Sequence, residues 1–285
     1  MPANLIDGKT VSEKVLRECR REVESLKEKG ISPKLVAVLV GENPASKIYV
    51  NKKHKTCQEI GMLSEIRRLP ETIPENEFLA EIISLNRDDS IHGIIVQQPL
   101  PSQLSEEKLF EVLDVRKDVD GFHPVNQGKN LLGKRCTHAA TPKGIMTLLE
   151  STGISLSGKH AVVLGRSNIV GKPIAAMLVN AGCTVTICNS KTQNLEEFTQ
   201  KADVLVCAVG KPKMITSNHV KEGVVVIDVG INRLGDGSIV GDVDFESVKE
   251  KASWITPVPG GVGPMTIASL IENTIQACKV IECID

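Results

Sequence analysis

The sequence predicts an α/β protein with two α/β domains, the second built on a doubly wound parallel sheet. Its 285 residues exceed the usual size of one domain, and a hydrophobic content of 41% can fill a core in each of two. Short β-branched runs alternate with amphipathic segments of helical length, which is typical of parallel α/β proteins. Residues 120–145 are rich in Gly, Pro and Asn and show no sustained period, so we place the domain boundary there.

Hydrophobic periodicity defines the elements of the first half. The runs LVAVLVG (35–41) and HGIIVQ (92–97) predict buried strands, because they are almost entirely apolar and rich in β-branched residues. Residues 11–29 and 48–60 carry apolar side chains at helical spacing and predict two amphipathic helices. The first half therefore already contains the alternation of strand and helix on which the fold class depends.

The same alternation restarts after residue 159. It predicts a helix over residues 171–180 and four strands, HAVVLG (160–165), CTVTIC (183–188), ADVLVCAVG (202–210) and VVVIDVG (224–230). This order predicts a Rossmann-like nucleotide-binding sheet. Residues 265–284 predict a final helix, which the spacing alone assigns to neither domain.

Composition argues against several classes of function. A net charge of −1 attracts neither nucleic acids nor anionic membranes, and 2% aromatic residues are too few for base-stacking platforms. The chain has no apolar signal segment and no apolar run near the roughly 18 residues of a membrane span, which predicts a cytoplasmic protein. Its eight cysteines include no C-x-x-C pair, so we expect reduced packing residues without metal.

A glycine-containing turn follows the strand that ends at Gly165. The sequence GRSNIVGKP (165–173) leads into a helix, whose N-terminal N–H groups could hold a pyrophosphate. The spacing departs from G-x-G-x-x-G, since Ser167 and Val170 occupy the second and third glycine positions and Gly171 comes one residue late. An ordinary βα turn therefore remains an alternative to a nucleotide loop.

The end of the next strand bears on the choice of cofactor. An NAD site usually has an acidic residue there for the ribose, but this strand ends in NSKT (189–192). Arg166 and Ser190 suit a phosphate instead, so NADP is favoured if a dinucleotide binds. Taken singly, each is as well explained as a solvated loop residue.

The segment SKIYVNKKHKTCQEIG (46–61) contains four lysines, of which one differs from the others. At about 100° per residue, Lys53 falls on the less polar face of a helix, whereas Lys47, Lys52 and Lys55 point elsewhere. That face comprises Ser46, Tyr49, Lys53, Thr56, Cys57 and Ile60. A partly desolvated lysine can act as a base or polarising cation near neutral pH. The alternative is a lysine whose stem packs while its ammonium reaches water.

Three further stretches could line a ligand site. Gln97 ends a predicted strand and begins QQPLP, Asp120 lies in KDVDGFHP (117–124), and TPVPGGVGPMT (256–266) has a stiff but sterically open backbone. Turn chemistry explains the first two stretches equally well, and a domain linker is the alternative for the third.

Together these segments resemble the methylenetetrahydrofolate dehydrogenase/methenyltetrahydrofolate cyclohydrolase family. The resemblance covers almost the whole chain through seven motifs in the same order: VGENPASKIYVNKKHKTCQEIG, GIIVQQPLP, KDVDGFHP, TPKGIMTLLE, GRSNIVGKP, VIDVGINR and TPVPGGVGPMT. It implies domains flanking a cleft, with folate bound mainly by residues 1–140 and 266–285 and NADP by residues 141–265. It also implies a homodimer whose substrates are one-carbon derivatives of tetrahydrofolate.

The resemblance also implies roles for individual residues. Lys53, Gln97 and Asp120 would be catalytic, with Gln97 bonded to Lys53 and Asp120 holding the pterin edge. Other substrate contacts would come from Tyr49, Pro257, Gly260 and Gly261, and cofactor contacts from Gly165, Arg166, Ser167, Ile169, Ser190, Gly210 and Ile231. Gln98 and Ala140 depart from the leucine and cysteine common in the family.

Three rival functions remain open at this point. A dehydrogenase without cyclohydrolase activity would lack the motif lysine, which is present as Lys53. A nonenzymatic nucleotide-sensing α/β protein would need the Arg166 loop but neither Lys53 nor Gln97. Binding of nucleic acid by the lysine cluster is opposed by the charge and the aromatic content.

Overall fold

The computed structural model describes residues 3–284 of the chain. The helices are α1 (Gly8–Glu28), α2 (Pro44–Glu59), α3 (Glu75–Arg87), α4 (Glu106–Val112), α5 (Pro124–Leu131), α6 (Ala140–Ser151), α7 (Gly171–Asn180), α8 (Leu195–Thr199), α9 (Phe245–Val248) and α10 (Val262–Ile281). The strands are β1 (Asn4–Leu5), β2 (Lys34–Val40), β3 (Leu63–Leu69), β4 (Gly93–Val96), β5 (His160–Leu164), β6 (Thr184–Cys188), β7 (Val204–Cys207), β8 (Val225–Asp228), β9 (Asn232–Arg233), β10 (Ile239–Val240) and β11 (Trp254–Ile255). No helix within these residues is both long enough and apolar enough to span a bilayer.

The chain forms two compact units. The first unit comprises residues 14–128, 136–138 and 269–284, and the second comprises residues 3–13, 129–135 and 139–268. This confirms the mixed α/β class with two domains.

A three-stranded parallel sheet in the order β3-β2-β4 organises the first unit. Its core lies on the strands and on α3, where Phe78, Ile82 and Ile94 are almost fully buried. The two predicted strands correspond to β2 and β4, and the predicted helices correspond to α1 and α2. Gln97 follows the carboxyl end of β4, where side chains of a parallel sheet line a crevice.

A six-stranded parallel sheet in the order β1-β11-β8-β7-β5-β6 organises the second unit. All four strands predicted after residue 159 form, and the helix predicted over residues 171–180 is α7. The strand order reverses between β5 and β7, so this sheet is doubly wound as predicted, with its switch point at their carboxyl ends. Nucleotides bind at such switch points.

Residues 120–145 show no sustained period in the sequence, yet α5 and the start of α6 lie there. Pro124 occupies the first helical position of α5, where proline is tolerated because no intrahelical bond needs its nitrogen. Gly144 lies inside α6 because a side chain there would meet Met265, with its Cβ 2.8 Å from that of Met265. These glycine and proline residues therefore allow close packing and helix initiation.

Candidate active site

Helix α2 places Lys53 in the interior of the first unit. Asn43 caps the helix through its side-chain oxygen, which accepts N–H bonds from Ala45 and Ser46. Lys53 is only 8% exposed, and its Nζ donates a hydrogen bond to Gln97 Oε1 at 3.3 Å. The predicted contact of Lys53 with Gln97 is therefore present, and its desolvation follows from the face of the helix on which it lies.

Tyr49 is more exposed than the other residues of the predicted face. Its side chain is 40% exposed, whereas Lys53 and Cys57 are buried on the same helix. Lys52 and Lys55 are exposed, and Lys47 forms an ion pair with Glu42. Lys53 is thus the buried lysine of this segment, and Tyr49 is accessible to a ligand.

The orientation of the Gln97 amide is fixed by its surroundings. Its Nε2 donates to the carbonyl of Gln98 at 2.8 Å, and Ser46 Oγ donates to the same carbonyl at 3.4 Å. Because the amide nitrogen is engaged, the amide oxygen faces Lys53. Gln98, which departs from the family pattern, takes part through its main chain, so its side chain is not needed for this contact.

The two acids of the KDVDG motif have separate environments. Asp118 is buried and accepts N–H bonds from Gly121, Phe122 and His123 and an amide bond from Asn126. Asp118 therefore holds the turn before α5. Burial raises the pKa of the Asp120 carboxyl, while the positive charge of Lys53 lowers that pKa. Asp120 is thus the acid that interacts electrostatically with Lys53.

The loop after β5 in the second unit is held close to β7. Gly165 has a φ of +115°, and a Cβ there would lie 2.3 Å from the carbonyl oxygen of Ala208. A Cβ on Gly171 would lie 2.2 Å from the carbonyl oxygen of Gly165, so both glycines permit contacts that a side chain would block. Gly171 therefore allows the close helix approach that a fingerprint glycine provides, although it is one residue late.

A cavity of about 280 Å³ opens at this switch point. It is lined by Leu164, Gly165, Arg166, Ser167, Cys188, Asn189, Ser190, Leu195, Ala208, Val209, Lys211 and Met214. The lining combines two cations, several hydroxyl or amide groups and several apolar side chains, and it contains no Asp or Glu. Such a lining fits an adenosine that carries an additional phosphate.

The structure brings some predicted cofactor residues together and places others apart from this cavity. Gly165, Arg166, Ser167 and Ser190 line it, whereas Ile169 and Ile231 do not and are 47% and 53% exposed. Gly210 follows the strand β7 with a φ of +64°. The Ser167 hydroxyl accepts N–H bonds from Val170, which immediately precedes α7, and from Gly171, the first residue of α7.

The Gly/Pro-rich segment after β11 packs tightly within the second unit. A Cβ on Gly261 would lie 2.6 Å from the carbonyl oxygen of Pro257, and one on Gly8 would lie 1.8 Å from that of Gly261. Gly260 has a φ of +112°. The backbone here is compact, and Gly8 and Gly261 are required for that packing.

Two buried acids in the second unit escaped the sequence analysis. Asp228 accepts N–H bonds from Gly230, Asp242 and Val243 at 2.9–3.0 Å, and Asp242 accepts bonds from Val209, Gly210, Lys211 and Asn232 at 2.7–3.0 Å. They hold the loops that follow β7 and β8. In the sequence these acids are marked only by the motifs VID, which contains Asp228, and GDVD, which contains Asp242. The tertiary fold brings the two motifs together.

We expect Asp228 to make the unfolding free energy of the chain decrease as the pH rises. Burial raises the pKa of Asp228 from 3.8 to about 6, so the folded state retains a proton that the unfolded state has lost. Its contribution to stability is therefore present at low pH and is lost as the pH rises through 6, by about 1–2 kcal/mol between pH 5 and pH 8. Urea unfolding of wild type and Asp228→Asn at both pH values measures it, with a smaller decrease expected in the variant. An equal decrease in both proteins would contradict the assignment.

Comparison with known proteins agrees with this arrangement. Residues 6–120 match the model of the tetrahydrofolate dehydrogenase/cyclohydrolase catalytic domain, and residues 139–282 match that of the tetrahydrofolate dehydrogenase/cyclohydrolase NAD(P)-binding domain. The chain belongs to the tetrahydrofolate dehydrogenase/cyclohydrolase family. The bifunctional protein FolD of Moorella thermoacetica is 53% identical over 279 residues, which are 98% of this chain and 100% of that protein.

Two solved structures of the family show the same fold. The bifunctional FolD dehydrogenase/cyclohydrolase from Campylobacter jejuni superposes with a TM-score of 0.96 at 51% identity, over 98% of this chain and 99% of that one. FolD of Trypanosoma brucei, solved with NADP cofactor and an inhibitor, gives a TM-score of 0.94 at 33% identity, over 98% of each chain. The tetrahydrofolate dehydrogenase/cyclohydrolase fold therefore extends over nearly the whole chain.

Proposed function

We infer that this chain oxidises 5,10-methylenetetrahydrofolate to 5,10-methenyltetrahydrofolate with NADP⁺ and hydrolyses the product to 10-formyltetrahydrofolate. The chain is an oxidoreductase and a hydrolase of folate one-carbon metabolism. The observation that carries this conclusion is the buried Lys53 bonded to Gln97, since it supplies the group that hydrolysis needs. Family membership and the bifunctional relatives support both activities.

The dehydrogenase step places few chemical demands on the chain. NADP⁺, when bound, supplies the hydride acceptor. The chain binds and orients this cofactor through Arg166, Ser167 and Ser190 around the cavity of the second unit. The apolar side chains of the cavity suit the adenine ring, and the cations suit its phosphates. Rate enhancement in this step comes mainly from orientation.

The hydrolytic step requires a base. Water attacks the methenyl carbon, a carbon–oxygen bond forms, and the Lys53 amine takes the proton released from the water. The hydroxyl of this hydrate then loses its proton, N5 of the folate gains one, and the bond from the carbon to N5 breaks, which leaves the formyl group on N10. The one proton released overall is the proton that Lys53 first took from water. Gln97 Oε1 holds Nζ of Lys53 in place, and Asp120 stabilises the ammonium that forms when Lys53 takes the proton. Tyr49 is exposed on the same helix and is our candidate for contact with the folate rings.

A single absorbance assay tests both activities. Purified protein is given methylenetetrahydrofolate and NADP⁺, and the formation and decay of methenyltetrahydrofolate are followed in time. Formation without faster decay than in buffer would favour the dehydrogenase-only alternative. Formation of neither NADPH nor methenyltetrahydrofolate would refute the enzymatic function and leave the nucleotide-sensing alternative.

Replacement of Arg166 by Ala should weaken the preference for NADP⁺. A charge-assisted bond to phosphate contributes roughly 1.5–3 kcal/mol, so we expect KM for NADP⁺ to rise about tenfold or more, with KM for NAD⁺ nearly unchanged. The comparison is made by steady-state kinetics with both cofactors. Lys172→Ala is the control, because Lys172 bonds Asn168 and does not line the cavity. Equal losses with the two cofactors would contradict a phosphate contact.

We also propose that the chain forms a homodimer and is located in the cytoplasm. Homodimers are expected from the resemblance, and sedimentation velocity across a range of protein concentrations tests this. A cytoplasmic location agrees with the absence of a membrane-spanning helix in residues 3–284, and cell fractionation tests it.

A further inference from the structure

The loop after β7 is held by one carboxylate. Asp242 is fully buried, and it accepts three consecutive N–H bonds, from Val209 at 2.7 Å, Gly210 at 3.0 Å and Lys211 at 2.9 Å. Its Oδ1 also accepts a bond from Asn232 Nδ2 at 2.9 Å. One acid therefore ties the loop that borders the cofactor cavity to the first residue of β9.

That loop presents a second cation to the cavity. Lys211 lines the cavity together with Arg166 and Ser190, and its side chain is exposed. Within residues 3–284, no hydrogen bond or ion pair engages the ammonium of Lys211 or the guanidinium of Arg166. Two free cations face a cavity whose lining contains no acid, so the balance of charge there favours a dianionic phosphate.

We propose that Lys211 is a further specificity residue for the phosphate of NADP, and that Asp242 is the positioning residue that holds it at the cavity. Asp242 does not touch the cofactor; it acts by fixing the main chain of residues 209–211. A second carboxylate, Asp228, accepts the N–H of Asp242 and so fixes the main chain at Asp242. The proposal rests on the proposed function, because it assumes that NADP occupies this cavity.

Lys213 offers a matched control for Lys211. It lies two residues along the same loop and is also exposed, but it borders a different cavity. Lys211→Gln and Lys213→Gln each remove one positive charge from this loop. Only the first change removes a cation from the cofactor cavity.

Calorimetric titration with 2′,5′-ADP tests the role of Lys211 independently of catalysis. We expect Lys211→Gln to bind this probe about tenfold more weakly than wild type, with Lys213→Gln unchanged. In steady-state kinetics, Lys211→Gln should raise KM for NADP⁺ about tenfold and leave KM for NAD⁺ unchanged. Unaltered binding of 2′,5′-ADP by Lys211→Gln would overturn the proposal. A wild type that binds the probe but forms no NADPH would instead overturn the proposed function.

Asp242→Asn tests the positioning role. Its expected effect is a higher KM for both NADP⁺ and NAD⁺, because the whole loop loses its anchor, with hydrolysis of methenyltetrahydrofolate unchanged since that step uses no dinucleotide. Equal loss of both activities would show a general structural role and overturn the positioning claim. If the variant does not fold, the paired lysine variants still decide the specificity claim.

Discussion

Replacement of Lys53 by Met is expected to remove cyclohydrolase activity, with a decrease of about 10²–10⁴-fold in the rate of methenyltetrahydrofolate hydrolysis. Methionine preserves the length and apolar stem of the side chain but supplies no proton acceptor of comparable basicity. Lys53 is 8% exposed, so its Nζ is largely withdrawn from water, and it is bonded to Gln97. The measurement is the decay of methenyltetrahydrofolate absorbance in the absence of NADP⁺.

Lys52→Met is the matched control for this prediction. Lys52 is exposed on the same helix, so its replacement removes one lysine charge without altering the bond between Lys53 and Gln97. We expect hydrolysis at the wild-type rate in this variant. Hydrolysis at that rate by Lys53→Met would show that another group is the base, although the family assignment would stand. Thermal unfolding of both variants separates lost chemistry from lost structure.

The burial of Lys53 in the candidate site could be predicted from periodicity, whereas its catalytic role came from the family resemblance. An advance of about 100° per residue placed Lys53 on the same helical face as Cys57, and both are buried in the structure. The pattern could not show that Tyr49 stays 40% exposed, because exposure depends on what the rest of the fold leaves uncovered. Nor could it show the orientation of the Gln97 amide, which is set by the carbonyl of Gln98 and by Ser46.

The main features missed by the sequence analysis depend on contacts between distant segments. Strand β1 has two residues and pairs with β11, about 250 positions along the chain, so no local pattern marks it. The bonds of Asp242 to residues 209–211 likewise span more than 30 positions. The proline and glycine residues of α5 and α6 are typical of loops, but here they have other roles. Pro124 begins α5, and Gly144 lets α6 pack closely against Met265.

The buried carboxylate of Asp228 leaves no room for a side chain at Gly241. A Cβ at this position would lie 1.8 Å from Asp228 Oδ2, so in Gly241→Ala the Asp228 carboxylate must move away from the N–H groups of Asp242 and Val243. We expect a loss of about 3 kcal/mol or more in unfolding free energy, from overpacking and from buried N–H groups left without acceptors. Because the same displacement disturbs Asp242, affinity for 2′,5′-ADP should fall as well.

The single tryptophan makes this loss measurable in the second unit itself. Trp254 lies in β11 beside β8, so its fluorescence during urea titration reports the unfolding of the sheet that carries Asp228. Gly235→Ala is the control, since a Cβ there has no neighbour within 4 Å and its φ lies outside the left-handed region. That variant should unfold at nearly the wild-type urea concentration. Unfolding of Gly241→Ala at the wild-type urea concentration would show that the loop accommodates a methyl group. Asp228 and Asp242 could then not be the rigid element that positions the cofactor cavity.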